Sequence, residues 1–244
     1  MFTRHSLAPL ARLFLVALVV FPLALSPAFA AKKGKDKGKN NGKDKIEMTD
    51  LQSFDKTFKK VKKIDKTVSG SEKEMKTARK DLNTALGIKN GTPLDKAIKE
   101  LSDRADGKIN VAMNGKTPKL ETSDAVPSDV DKSIDAVNGF TGAFVISLEE
   151  MATLPEETDQ LIKKTKKMPE DLKSEMLDEG NFLDVIFKAP KTLKVLQTNI
   201  EITAGLPKRT FDVATDMADV LDLVVTEFGG EIPGGGFLPP GLSK

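Results

Sequence analysis

Residues 130–151 read VDKSIDAVNGFTGAFVISLEEM, and the side chains suited to a core recur along this stretch at alternating spacings of four and three. That alternation is the a and d pattern of a heptad, which places these side chains on one face of an α-helix. Gly139 and Gly142 lower the helix propensity without breaking the pattern. The stretch predicts a long helix after Pro127, with a core face made of Val130, Ile134, Val137, Thr141, Phe144, Leu148 and Met151.

Helical spacing continues over most of the chain on both sides of this stretch. Ser followed three residues later by Glu, and Pro in a first turn, are typical of helix starts, whereas Gly is typical of a helix end. On these signals the further predicted helices are 49–68, 71–86, 92–107, two that start at Pro155 and Pro169, 181–203 and 207–228. The stripe of 49–68 consists of Leu51, Phe54, Phe58, Val61, Ile64 and Val68.

Only short breaks that contain Gly or Pro separate these predicted helices. Short connections force consecutive helices to lie side by side in opposite directions. The sequence therefore predicts an all-α fold, an antiparallel helix bundle with coiled-coil-like heptad helices, in one domain spanning residues 46–229.

The period changes from helical to alternating near residues 108–121. Ile109, Val111 and Met113 alternate with polar residues, and Asn114-Gly115 is a two-residue turn favoured in hairpins. Pro in the second arm, at position 118, restricts that arm to an edge strand or a loop. One small β-hairpin is therefore compatible with the helical prediction.

The N-terminal residues 1–30 have the three parts of a secretory signal peptide: a basic start, an apolar run at 13–25 and a small-x-small motif. The run is shorter than the ~20 residues of a permanent membrane span, although an uncleaved anchor stays the alternative. We expect export to the periplasm or the medium, and no transmembrane segment after cleavage. The sequence has no cysteine for disulfides or a lipid anchor. The cleavage site comprises Ala28, Ala30 and Ala31.

Residues 31–45 (AKKGKDKGKNNGKDK) form a basic tail with seven lysines and two aspartates, net +5, which leaves the chain from residue 46 onward at net −5. Because this tail contains almost no apolar residue, we expect it to be disordered. It could bind anionic lipid, a cell-wall polymer, nucleic acid without sequence specificity, or the acidic body of its own chain, or serve as a solubilising spacer. The Gly- and Pro-rich residues 230–244 predict a second flexible tail. The lysines considered for an anionic surface are Lys32, Lys33, Lys35, Lys37, Lys39, Lys43 and Lys45.

Beyond residue 30 the chain contains no His, Cys, Tyr or Trp. This excludes zinc sites built on His and Cys, and nucleophile systems that need His. A stretch that begins like a calcium-binding loop at Asp129 has Ile134 where Gly is required and Phe140 where Glu is required. We therefore expect no catalytic residue, no metal and no cofactor.

Residues 49–68 carry lysines opposite the apolar stripe, a composition found in helices that lie at a membrane surface. The same stripe is equally suited to a protein core. We favour an exported, non-enzymatic helical-bundle protein that binds or scaffolds, with an unknown protein or an anionic envelope surface as its partner. The alternatives are a membrane-active or lipid-binding amphipathic protein and a carboxylate-dependent hydrolase, and oligomerisation stays open. The six lysines are Lys56, Lys59, Lys60, Lys62, Lys63 and Lys66.

Overall fold

The computed structural model describes residues 45–49, 51–178, 182–234 and 236–242, and within these ranges the side chains of all but 173–178 and 182–189. The described chain is mostly helical with one small antiparallel hairpin, which confirms the predicted helical class and the hairpin. Its elements are α1 (Gln52–Ala85), α2 (Leu94–Ala105), β1 (Ile109–Asn114), β2 (Thr117–Thr122), α3 (Ser128–Ala152), α4 (Leu154–Asp178), α5 (Phe182–Glu227) and a 3₁₀ turn (Pro240–Leu242).

Helix α1 is one continuous helix, so the predicted break between 68 and 71 is wrong. Ser71 does not cap a new helix; it is buried, and its hydroxyl donates to the Thr67 carbonyl at 3.3 Å. Gly70 within the helix costs about 1 kcal/mol relative to Ala. Burial of a single large apolar side chain is worth about 1.5 to 3 kcal/mol, so fully buried neighbours such as Val68 and Leu82 keep the helix intact.

Helix α5 contains Pro190 and Pro207 in its interior, so the predicted division into 181–203 and 207–228 is wrong. An interior proline costs about 3 kcal/mol because a backbone hydrogen bond is lost. Around Pro207, Leu206 is fully buried and Thr203 donates its hydroxyl to the Asn199 carbonyl at 2.6 Å. Packing on both sides of the proline outweighs its local preference.

Helix α4 follows α3 after a single residue, Thr153, which has right-handed helical dihedrals. Pro155 lies in the first turn of α4, as predicted, whereas Pro169 lies inside the helix rather than at the start of another. The buried face of α4 repeats at spacings of four and three and includes two threonines whose hydroxyls donate to carbonyls of the same helix. Its members are Leu154, Thr158, Leu161, Thr165, Met168 and Leu172.

The predicted core face of α3 is confirmed, since all seven of its side chains are buried. Burial on α3 is broader than that face, because Ser133, Phe140, Val145 and Ser147 are buried as well. The helix contacts α1, α2, α4, α5 and β2. A helix enclosed by so many neighbours is central to the fold.

The hairpin pairs Ile109 with Thr122 at one end and Asn114 with Thr117 at its turn. Asn138 of α3 fastens β2 through its side-chain amide, which accepts from the Leu120 N–H at 2.7 Å and donates to the Leu120 carbonyl at 3.0 Å. The buried hairpin side chains therefore add to the core.

The C-terminal segment packs on the helical body. Leu242 is 5% exposed, and Phe237 and Leu238 pack against the core. The flexible tail predicted for 230–244 stays a prediction; within it, Leu242 is buried and Phe237 and Leu238 are half-buried. In the part of the chain that the structure describes, no helix is long and apolar enough to span a bilayer.

Candidate functional site

Helix α1 separates its apolar and basic side chains completely. The stripe predicted for it is buried apart from Leu51, which is half-buried, and none of the other five side chains is more than 3% exposed. The six lysines predicted to lie opposite the stripe are all exposed. The stripe is therefore occupied by the core, and the lysines form an outer surface.

The carboxylates of α1 are directed away from that outer surface by specific partners. Asp55 accepts from the backbone N–H and the hydroxyl of Thr49 at 2.6 and 2.8 Å. Glu74 accepts from the Ser147 hydroxyl of α3 at 2.6 Å. Two further carboxylates of this helix bind an arginine of α5, and Asp81 is its one exposed acid.

The result is an excess of exposed cations on one helix, which we call the cationic face of α1; two of its members, Lys76 and Arg79, lie at its edge, where they border α5 and the start of α2. All its members are exposed, and none forms an ion pair within the described residues. The sequence prediction found six of them and missed the other four, because it ended the helix at residue 68. The ten cations are Lys56, Lys59, Lys60, Lys62, Lys63, Lys66, Lys73, Lys76, Arg79 and Lys80.

Arg209 of α5 joins the two longest helices in a cluster that we call the Arg209 junction. Its guanidinium donates to Asp65 at 2.6 Å, to Glu72 at 2.9 and 3.2 Å, and to the Ser69 hydroxyl at 3.2 Å. Burial lowers the pKa of Arg209, but the hydrogen bonds that Arg209 donates to Glu72 and Asp65 outweigh it and hold the pKa above its usual value. The junction fixes α5 against α1 and removes two carboxylates from the outer surface.

A groove of about 960 Å³ lies beside the Arg209 junction, between α1, α5 and the start of α2. Two of its three carboxylates, Asp65 and Glu72, are the partners of Arg209. The third is Asp216, whose pKa is raised by burial and by the neighbouring Asp219 and Asp212. The groove thus offers no pair of unpartnered acids facing each other, which is the arrangement that a carboxylate hydrolase uses.

A second arginine, Arg104 of α2, ties three elements together. It donates to Glu100 at 2.9 Å, to Asp129 at 2.9 Å and to the Leu86 carbonyl at 2.8 Å. Hydrogen bonding to Arg104 lowers the pKa of Asp129, and the bond to Glu100 is the main cause of the raised pKa of Arg104. Asp129 therefore serves in an ion pair at the start of α3.

The described chain begins beside α5, where Asn199 holds it. The Asn199 amide donates to the Glu47 carbonyl at 2.7 Å and accepts from the Glu47 N–H at 3.2 Å. Lys45 is exposed and lines the groove. The remaining predicted site residues lie outside the described residues: the cleavage residues Ala28, Ala30 and Ala31, and the tail lysines Lys32, Lys33, Lys35, Lys37, Lys39 and Lys43.

Among the residues that the structure describes, no group of three or more acids or histidines is placed to hold a metal ion. The prediction that the protein uses no metal and no cofactor stays a prediction. Comparison with family models, with curated proteins and with solved structures found no match. Function must therefore be inferred from the residues and geometry of this chain.

Proposed function

We propose that this chain is an exported, non-enzymatic scaffold protein that acts by binding an anionic surface or a partner protein in the cell envelope or the medium. The observation that carries the proposal is the cationic face of α1, where ten exposed cations stand on one helix. A surface of one charge sign raises the local concentration of oppositely charged partners and speeds their association. The basic tail that precedes this helix adds charge of the same sign.

Contacts between the helices support a bundle as the scaffold. Asn199 meets Glu47 and Arg209 meets Asp65, so residue numbers rise together along α1 and α5. On α3 the order is reversed, because Ser147 meets Glu74 while the start of α3 lies near the end of α1. In the proposed bundle α1 and α5 run in parallel, and α3 with its continuation α4 runs in the opposite direction.

The non-enzymatic part of the proposal rests on residue chemistry. The chain beyond residue 30 lacks His, Cys and Tyr, which supply most general bases and nucleophiles. The two acids that meet in the groove, Asp65 and Glu72, accept hydrogen bonds from Arg209 instead of facing an open position. Their geometry suits a helix junction.

The membrane-active alternative is less well supported, because the apolar stripe of α1 is buried. Inserting Phe54 and Phe58 into a bilayer would require α1 to leave the core. Each large apolar side chain withdrawn from the core loses about 1.5 to 3 kcal/mol of burial before lipid restores it. Binding through the outer cations leaves the core intact.

Fractionation of the source cells, with N-terminal sequencing of the recovered protein, tests export. We expect the protein in the envelope or the medium with Ala31 as its first residue. Retention in the cytoplasm with residues 1–30 intact would contradict export.

Capture from envelope fractions, with the chain from residue 31 as bait, tests binding. A bait in which all seven tail lysines are replaced by glutamine separates the contribution of the tail from that of the helices. Retention of envelope material is expected, and a bait that retains nothing at low salt would contradict the binding role.

A further inference from the structure

We propose that the cationic face of α1 docks the folded protein on an anionic phospholipid bilayer, peripherally and without insertion of apolar side chains. This inference rests on the proposed function, since it names the surface that the cationic face of an exported scaffold binds. Its basis is the arrangement of four lysines along the helix.

Lys59, Lys66, Lys73 and Lys80 recur every seven residues along α1. Seven residues of an α-helix turn by about 20° less than two full turns and rise about 10.5 Å. The four lysines therefore form a nearly straight row about 32 Å long on the outside of the helix. All four side chains are exposed.

The spacing of the row keeps it away from the carboxylates of the same helix. Among the acids of α1 only Asp55 lies three or four residues from a lysine of the row, and it accepts hydrogen bonds from Thr49. Asp65 and Glu72 have that spacing to Lys62 and Lys76, outside the row, and both bind Arg209. The row therefore keeps its charge in the folded protein.

A plane of headgroups can contact more of the cationic face of α1 than a linear polymer can, because exposed lysines also lie on either side of the row. A single polymer laid along the row would leave these flanking lysines without an anion. Recognition of nucleic-acid bases uses arginine and aromatic side chains, and the row contains neither. Lysines on a helix surface are typical of binding to anionic lipid.

The peripheral mode follows from where the apolar side chains lie. The apolar stripe of α1 is in the core, on the side opposite the lysines. Among the described residues, the large hydrophobic side chains that are exposed are Met113, Ile146 and Ile232, and none of them belongs to α1. Binding through this face therefore needs no change in the fold.

Vesicle co-sedimentation of the full chain from residue 31 tests the inference. The vesicles are pure phosphatidylcholine, or phosphatidylcholine mixed with phosphatidylglycerol. A lysine close to an anionic surface strengthens binding about fivefold, so replacing four by glutamine should weaken binding to the anionic vesicles by at least about a hundredfold. Binding should also disappear in ~1 M salt, where the screening length falls to ~3 Å.

A matched control carries the same loss of charge on other elements, by changing Lys89, Lys96, Lys99 and Lys132 to glutamine. These lysines are exposed and form no ion pair within the described residues. We expect the control to bind anionic vesicles within about threefold of the unmodified protein. Circular dichroism and thermal unfolding of both variants verify that the fold is retained.

Four outcomes would overturn the inference: equal binding to neutral and anionic vesicles, equal loss in the two variants, tighter binding to soluble polyphosphate than to vesicles, or release of a dye trapped in the vesicles. Either of the first two outcomes would show that the row of lysines does not determine binding to anionic vesicles. The third would indicate an anionic polymer, rather than a bilayer, as the partner. The fourth would show that the protein disrupts the bilayer instead of binding at its surface. If vesicle binding fails but envelope material is still captured from the fractions, bilayer docking is refuted and the proposed binding function is retained. If vesicle binding and capture both fail, bilayer docking and the proposed function are both refuted.

Discussion

Replacing Arg209 by methionine tests whether the junction between α1 and α5 stabilises the fold. Methionine keeps an unbranched apolar stem and similar helix propensity while removing the charge and all donors. In the variant, Asp65 and Glu72 lose their common partner and are left as two half-buried carboxylates on the same helix face. The expected result is a destabilised native state with an unchanged fold.

The magnitude follows from the exposure of the three side chains. Exposed ion pairs contribute about 0 to 1 kcal/mol, and removing one partner of a fully buried pair costs about 3 to 5 kcal/mol. The side chains of Arg209, Asp65 and Glu72 are 35%, 27% and 24% exposed, between these limits. We therefore expect R209M to lower the free energy of unfolding by about 2 kcal/mol.

Urea unfolding at neutral pH, followed by far-UV circular dichroism, measures this loss. With a denaturant slope of about 3 kcal/mol/M for a chain of this size, the midpoint should fall by about 0.7 M at unchanged slope. R79M is the matched control, because Arg79 is exposed and forms no ion pair in the described chain, and we expect it to change stability by less than about 0.5 kcal/mol.

A triple variant, D65N/E72Q/R209M, separates the loss of an attraction from the presence of unpaired charge. Neutral amides in place of both carboxylates should restore most of the stability that R209M alone loses, because the penalty comes mainly from acids left without their cation. Equal effects of R209M and R79M, or a triple variant less stable than R209M, would refute this reasoning.

Three further predictions concern backbone space, a buried amide and pH. Gly70→Ala should stabilise the protein by about 0.5 to 1 kcal/mol, since a Cβ at position 70 meets nothing within 4 Å. Gly230→Ala should destabilise the protein, because the added Cβ would overlap the side chain of Val111. Thermal unfolding of the two variants measures both effects. Asn199→Ala should remove both bonds to the Glu47 backbone, so hydrogen exchange at that amide should accelerate while α3 amides keep their protection. Asp216→Asn should raise the unfolding temperature at neutral pH. Because the pKa of Asp216 is raised in the folded protein, its ionisation opposes folding at any pH above that pKa. The gain in unfolding temperature should therefore shrink as the pH falls through the pKa, and a gain that does not depend on pH would contradict this explanation.

Local patterns predicted much of the helical structure. The spacing of apolar residues identified the core face of α3 and the stripe of α1, and Asn114-Gly115 located the hairpin turn. These succeed because a helix or hairpin is set largely by neighbours within a few residues. Errors arose at Gly70 and Pro207, whose local preferences are overridden by packing against distant parts of the chain.

Polar residues in the core were a second source of error. Thr158 and Thr165 complete the buried face of α4, and each satisfies its hydroxyl on a carbonyl of its own helix. The regular spacing of this face was missed because the sequence prediction divided the segment into two helices at Pro169.

The sequence by itself determined the supply of charge and of apolar surface: lysines opposite an apolar stripe, a basic tail, and no His, Cys, Tyr or Trp after residue 30. Only the tertiary structure decided which charges stay free. Arg209 is separated by 144 and 137 residues from the two carboxylates that it binds, Asp65 and Glu72. No local rule predicts such a contact, because it forms only when packing of the apolar stripes has brought α5 against α1. That contact, with Ser147 on Glu74, engages three of the five acids of α1 in tertiary contacts, while its lysines stay exposed.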